Sequence, residues 1–230
     1  MKVRWYGQSA FALVGESNAV FIDPFGDMEG ARARGMIWNY PAIADATADL
    51  LLVTHEHGDH NAVQVVSGVM QTVRSSAGTF DTPMGRFIGV ASEHDAVAGT
   101  KRGANVIYLF ELGGIRVCHM GDFGQAELRS AQRAAIGDVD LLFVPVGGMA
   151  TIDGRMAADL VEELNPSWVV PMHYRTAAIS FLDTADAFLQ AVKGEVVALD
   201  RSAFDTDEMR PEGGRIIVMP QPPVTDAGLG

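Results

Sequence analysis

Residues 54–63, THEHGDHNAV, place His55, His57, Asp59 and His60 within six positions. Three imidazoles and a carboxylate at that density suit a bound transition-metal cation, with zinc, iron, manganese and nickel all compatible. A solvated charged turn is the competing reading for a lone histidine. It fits this turn poorly, because the chain has six histidines and half of them fall here. The other three share a position in the pattern: His94 follows the apolar run FIGVA, His119 follows IRVC, and His173 follows WVVPM. Asp122, in HMGDFG, lies just beyond the run that ends near His119. Taken singly, His119 or His173 reads equally as a satisfied core histidine. Taken with the cluster, polar residues at strand exits point to one sheet edge, where open α/β folds gather their sites.

Those residues need strands to carry them. VRWYG, SAFALVGE and NAVFIDP are short strand-like runs separated by Gly, Ser and Asn, the pattern of a β-meander. DLLLVTH is a continuous apolar run that stops abruptly at the cluster, as expected of a strand buried on both faces. RFIGVAS, NVIYLFEL and GIRVCHM predict further strands. The second half alternates. A helix is predicted over AELRSAQRAAIG, closed by Gly137, and then a buried strand over VDLLFVPV. In DGRMAADLVEELNP, Met156, Leu160, Val161 and Leu164 share one helical face and Pro166 lies past the end. SWVVPMHY, EVVAL and RIIVMP read as strands, and DTADAFLQAVKG as a helix. Strands first and βα units later imply a layered α/β domain over residues 1–230, with a frayed tail at 221–230. The connection over residues 26–48, with Arg32, Arg34, Trp38 and Tyr40, is long enough to wall a pocket.

Bulk properties narrow the function classes. With 48% hydrophobic residues the chain can bury a substantial core. A net charge of −12 opposes a broad nucleic-acid or anionic-membrane footprint. No apolar run approaches the ~18 residues of a membrane helix. The sole cysteine, Cys118, excludes an internal disulfide and suits a reducing, cytoplasmic compartment. It lies inside an apolar strand, where a thiol is inert. Ser92 near His94 lacks a G-x-S-x-G elbow. The glycine-rich residues 146–154 match no phosphate-binding or dinucleotide fingerprint, and they read as a turn or a close backbone approach.

With these motifs in hand, the chain resembles the metallo-β-lactamase superfamily of metallo-hydrolases: H-x-H-x-D-H as HEHGDH, a downstream His94, the Asp122 of GD, and His173 in MHY. VRWYGQSAF, FIDP, THEHGDHNAV, HMGDFG and PMHYRT are similar to its short branch of Zn-dependent hydrolases, which includes relatives of ascorbate-6-phosphate lactonase. The likeness runs over roughly residues 2–219 and is specific for fold and metal site, much less so for substrate. It implies a four-layer αββα sandwich and two divalent ions, zinc foremost, with manganese, iron or nickel as alternatives. His55, His57 and His94 would hold the first ion, Asp59, His60 and His173 the second, and Asp122 would bridge them. A hydroxide between the ions would attack the substrate, with Asp59 as the catalytic residue that orients it and carries a proton. A small-molecule ester or lactone is the leading substrate. A phosphodiesterase or nuclease is the alternative on the same site, and a redox, oxygen-handling diiron protein the alternative of another class. Oxygen-reducing diiron relatives usually carry Glu at the position of His57; here Glu56 falls between ligand positions. Many relatives have His where this chain has Gln8. Asp23 and His119 are expected as hydrogen-bonding supports, and Tyr174 and Arg175 as substrate or anion contacts. Arg32, Arg34 and Lys101 default to solvated charge. No nucleic acid or membrane partner is expected, and a homo-oligomer stays open.

Overall fold

The computed structural model describes residues 1–82 and 84–223, so the tail expected to fray lies, from 224 onward, outside the described residues. The meander forms as β1 (Lys2–Gly7), β2 (Ala10–Val14) and β3 (Ala19–Ile22). After α1 (Glu29–Ala33) come β4 (Ala46–Thr47), β5 (Leu50–Val53), β6 (Val66–Ser67), β7 (Gln71–Arg74) and β8 (Gly78–Thr82). The long hairpin strands follow: β9 (Gly85–Glu93), β10 (Ala104–Leu112) and β11 (Ile115–His119). The alternating half comprises α2 (Ser130–Ile136), β12 (Leu141–Pro145), α3 (Gly154–Leu164), β13 (Trp168–Met172), α4 (Asp186–Ala191), β14 (Glu195–Ala198), β15 (Ala203–Asp205) and β16 (Ile216–Met219).

Two sheets face each other. The first has the order β15-β1-β2-β3-β5-β7, the second β14-β16-β13-β12-β11-β10-β9-β8. Successive side chains of a strand point to opposite faces, and the apolar pattern uses both. Phe11, Leu13, Val20, Ile22, Leu50 and Leu52 enter the core between the sheets. Ala10, Ala12, Phe21 and Leu51 enter a second cluster on the outer face of the first sheet. Every residue of β5 is therefore buried, as its unbroken apolar run requires.

Helices cover the outer face of the second sheet, where α3 packs on β12 and α4. Asp153 caps α3, accepting from the Arg155 and Met156 amides at 2.9 and 3.0 Å. Leu160, Val161 and Leu164 are buried on its inner face, each worth roughly 1.5–3 kcal/mol. Met156, expected on that face, is partly buried against the core. The helix stops at Asn165, which takes the left-handed conformation at φ 48° and ψ 50° just before Pro166. Two predicted helices come out shorter. α2 begins at Ser130 because the Gln132 side chain accepts from the Arg129 amide at 2.9 Å and from Gln125 Nε2 at 3.0 Å, holding the preceding chain in a non-helical approach. α4 ends at Ala191, and Val192 is already extended.

The fourth layer is thin. Five-residue α1 and irregular chain over residues 26–48, together with Ala178, Ile179 and Leu182, cover the outer face of the first sheet. Trp38 stands edge-on to Phe25 at 5.3 Å and to Tyr40 at 5.6 Å, a favourable aromatic geometry. The long connection is thus a packing layer, with Trp38 and Tyr40 inside and Arg32 and Arg34 exposed. Among the described residues no helix is long and apolar enough to cross a membrane.

Candidate metal centre

All four ligand-bearing segments end at one edge of the sandwich. β5 delivers the loop carrying His55, His57, Asp59 and His60; β9 ends beside His94, β11 leads to Asp122, and β13 to His173. Three groups of donors converge there, each with its donor atoms within 4.8 Å of one another: His55, His57 and His94; His55, His60 and Asp122; and Asp59, His60 and His173. Asp122 is the hub. Its Oδ2 lies 3.0 Å from His94 Nε2, 3.2 Å from His173 Nε2, 3.3 Å from His60 Nε2 and 3.8 Å from His55 Nε2.

Hydrogen bonds behind the ring decide which nitrogens face inward. Asp23, fully buried, accepts the Thr54 amide and hydroxyl, both at 2.7 Å, and His60 Nδ1 at 2.9 Å. Since Thr54 gives its one hydroxyl proton to Asp23, His55 Nδ1 at 3.1 Å must donate to that hydroxyl. Asp23 thereby fixes two tautomers, leaving the Nε2 lone pairs of His55 and His60 aimed at the centre. His94 donates Nδ1–H to the Ala150 carbonyl at 2.9 Å and likewise presents Nε2. His60 Nε2 is buried without a hydrogen-bond partner among the described residues. A buried lone pair facing carboxylates at 3.3 and 3.6 Å calls for a cation, and the donor set of imidazoles and carboxylates fits a divalent metal.

The electrostatics agree. Burial pushes the Asp122 carboxyl up, but the His173 and His60 imidazoles packed against it hold it well below the usual range. Burial lowers His60, yet Asp122, Asp59 and Asp23 outweigh it and raise that imidazole well above its ordinary value. Burial and the His60 charge push His55 down to about 2, and burial lowers His57 and His173. Asp59 is drawn below its ordinary value by the neighbouring His60 imidazole, against burial. Its side chain is 19% exposed, and with exposed His57 it forms the open side of the cluster.

Other expected participants sort by contact. His119 donates Nε2–H to the Ser9 carbonyl at 3.1 Å and accepts the Gly121 amide at Nδ1, 3.2 Å away. With both nitrogens engaged by backbone it is a structural imidazole that ties the β1–β2 turn to the chain before Asp122. Tyr174 and Arg175, expected as substrate or anion contacts, make contacts of their own within the fold. The Tyr174 ring stacks on Trp5 at 5.7 Å, and Arg175 turns to the Leu182 carbonyl beside a separate cavity of about 400 Å³. The reason is steric. Left-handed His173 (φ 52°) redirects the chain, sending its two successors away from the ring of donors. Glu56 points out, paired with Arg74 and bonded by Ser75 and Asn61. Cys118 is buried, and burial pushes its thiol up to about 12.

Sequence reasoning missed Asn105, a polar residue opening an apolar strand. Buried, it accepts the Asp122 amide at 3.0 Å and donates to Ser92 Oγ at 2.8 Å and the Met120 carbonyl at 2.9 Å. That occupies Ser92 and leaves no Ser–His pair. Ser9 donates to Asp122 Oδ1 at 3.4 Å. Residues 146–154 make a close approach: a Cβ on Gly147 would lie 2.1 Å from the His173 carbonyl oxygen, which only glycine avoids.

In the opening of the His94 loop, Asp95 accepts four amides, from Val97, Gly99, Lys101 and Arg102, at 2.8–2.9 Å. Desolvation works upward on this carboxyl, but the amides outweigh it and bring it to about 2. A depressed carboxylate contributes stability above its unfolded value of ~3.9 and loses it as pH falls through about 2. Asp95→Asn is therefore expected to lower the urea midpoint at pH 7, with the difference from wild type shrinking between about pH 4 and pH 2. A pH-independent difference would contradict this role.

Residues 2–173 match the family model described as the Beta-lactamase superfamily domain, which fixes the class of this fold and site. A Thermus thermophilus UPF0173 metal-dependent hydrolase is 32% identical over 235 residues, spanning 87% of this chain and 100% of the relative. One from Thermococcus onnurineus is 30% identical, over 76% of this chain and 85% of its own. The chain belongs to this family of metal-dependent hydrolases of the metallo-β-lactamase superfamily. A Thermotoga maritima structure described as a Zn-dependent hydrolase of that superfamily superposes with TM-score 0.74 at 31% identity, covering 95% of this chain and 98% of the other.

Proposed function

We propose that the enzyme is a dinuclear hydrolase of small-molecule esters or lactones. His55, His57 and His94 would hold one ion and Asp59, His60 and His173 the other, with Asp122 shared. The observation that carries this reading is the four imidazole Nε2 atoms within 3.0–3.8 Å of one Asp122 oxygen. Zinc is the proposed metal, as named for the Thermotoga maritima relative. Bound, the ions would supply an activated water near neutral pH and Lewis-acid stabilisation of a developing oxyanion. Asp59, the accessible carboxylate, would orient the nucleophile and pass a proton to the leaving group. Asp122 holds the inward nitrogens together, and Asp23 keeps two of them in the ligating tautomer. The net charge of −12 supports a small substrate over a polynucleotide, and the sole cysteine supports a reducing, cytoplasmic setting.

The test is a panel of lactones, aryl esters, thioesters and phosphodiesters, assayed with protein loaded by zinc, manganese or iron. Turnover of lactones or esters is expected, lost on chelation and regained with zinc. Oxygen consumption by an iron-loaded form without hydrolysis would overturn the proposal, and exclusive phosphodiester turnover would replace the substrate class.

A further inference from the structure

Gln8 is the residue the centre does not yet explain. It follows Gly7 in the β1–β2 turn, is fully buried, and holds a left-handed backbone at φ 48°. That strain accompanies work at both of its ends. Its carbonyl accepts the Trp5 indole N–H at 2.9 Å and the His173 amide at 3.4 Å, so the turn is anchored beside one candidate ligand. Its side-chain Nε2 donates to Asp59 Oδ2 at 3.4 Å, reaching a second. Its Oε1 is buried with no partner among the described residues. The amide cannot be turned round to relieve this, because Oε1 would then face an ionised Asp59 oxygen. A buried acceptor left unpaired is costly, and such groups cluster where a ligand completes the network.

We propose that Gln8 is a positioning residue. Its amide N–H steers the Asp59 carboxylate toward His60 and His173. The proposal rests on the reading of Asp59 as a metal ligand given above. Asp59 is the most exposed ligand of its triad, with His60 and His173 buried, so it has the greatest freedom to swing away. Gln8 donates to it from the β1–β2 turn of the same sheet that delivers the Asp59 loop.

The experiment titrates metal-free protein with Zn²⁺ alone against a competing chelator, for wild type, Gln8→Met, Gln8→His and Asp59→Asn. Gln8→Met keeps length and an unbranched stem but removes donor and acceptor; Gln8→His restores one N–H. In wild type two equivalents bind. In Gln8→Met the second is expected to weaken by about 10–100-fold with the first unchanged, and Gln8→His to recover part of that loss. The unchanged first equivalent reports that the variant has folded. If Asp59→Asn leaves the second equivalent intact, the ligand reading itself fails. If Asp59→Asn weakens it and Gln8→Met does not, that reading stands and the role of Gln8 is overturned. Equal weakening of both equivalents in Gln8→Met, without recovery in Gln8→His, would also overturn it, as a general packing defect.

Discussion

Asp122→Ala is expected to bind no divalent metal tightly and to lower kcat/KM by about 10³-fold or more. The geometry sets this scale. One carboxylate oxygen serves imidazoles from three separate segments at 3.0, 3.2, 3.3 and 3.8 Å. Without it, a cation among them loses its shared anionic ligand. Asp122→Asn separates charge from shape. It keeps the backbone bond to Asn105 and an oxygen for Ser9, so a loss of binding as deep as in the alanine variant assigns the effect to charge. Chelator competition and thermal unfolding of the metal-free forms read the two contributions apart. Two tight equivalents of zinc in Asp122→Ala would refute the central place given to this residue.

The second large effect is expected at Asp23, which touches no inward-facing donor atom. Asp23→Asn puts an N–H₂ where Oδ2 accepts from the Thr54 hydroxyl and His60 Nδ1. Donor then meets donor in a fully buried place, at a cost of roughly 3 kcal/mol in stability. Backbone strain does not confuse the comparison. Position 23 is left-handed at φ 51°, and Asn adopts that conformation as readily as Asp. Relieving the clash by moving the His60 proton to Nε2 would spoil the lone pair that faces the centre, so metal affinity is expected to fall about 10–100-fold as well. Urea unfolding and the nitrogen shifts of His60 check both halves. A variant within ±0.5 kcal/mol of wild type, the range of ordinary surface changes, would show that the Asp23 network carries no such burden.

The reach of sequence reasoning followed how loudly each residue's burial is written in its type. β5 and β12 are buried throughout, and their unbroken apolar runs identify them. The cluster after β5 and the histidines after β9 and β13 were legible because polar residues interrupt such runs at their ends. β7 (QTVR) and β8 (GTFDT) were not, since each lies at the edge of its sheet and needs little apolar surface. β15, with only Phe204 buried, escaped for the same reason. Asn105, Ser9 and Thr54 act through hydrogen bonds that join residues far apart in the chain, which local spacing does not encode. The directions of Tyr174 and Arg175 were not legible, because the left-handed turn at His173 breaks the assumption that neighbours in sequence share a direction.

The interleaving of the strands also bears on when the enzyme becomes active during synthesis. The HEHGDH loop emerges early, yet Asp122 and His173 belong to the later half of the chain. β13, which leads to His173, lies between β12 and β16, with Trp168 opposite Ile216. A nascent chain therefore displays an isolated histidine loop until β11 and β13 have emerged and paired with β12. The residues of HEHGDH are half a centre, and a product that stops before His173 lacks a candidate ligand.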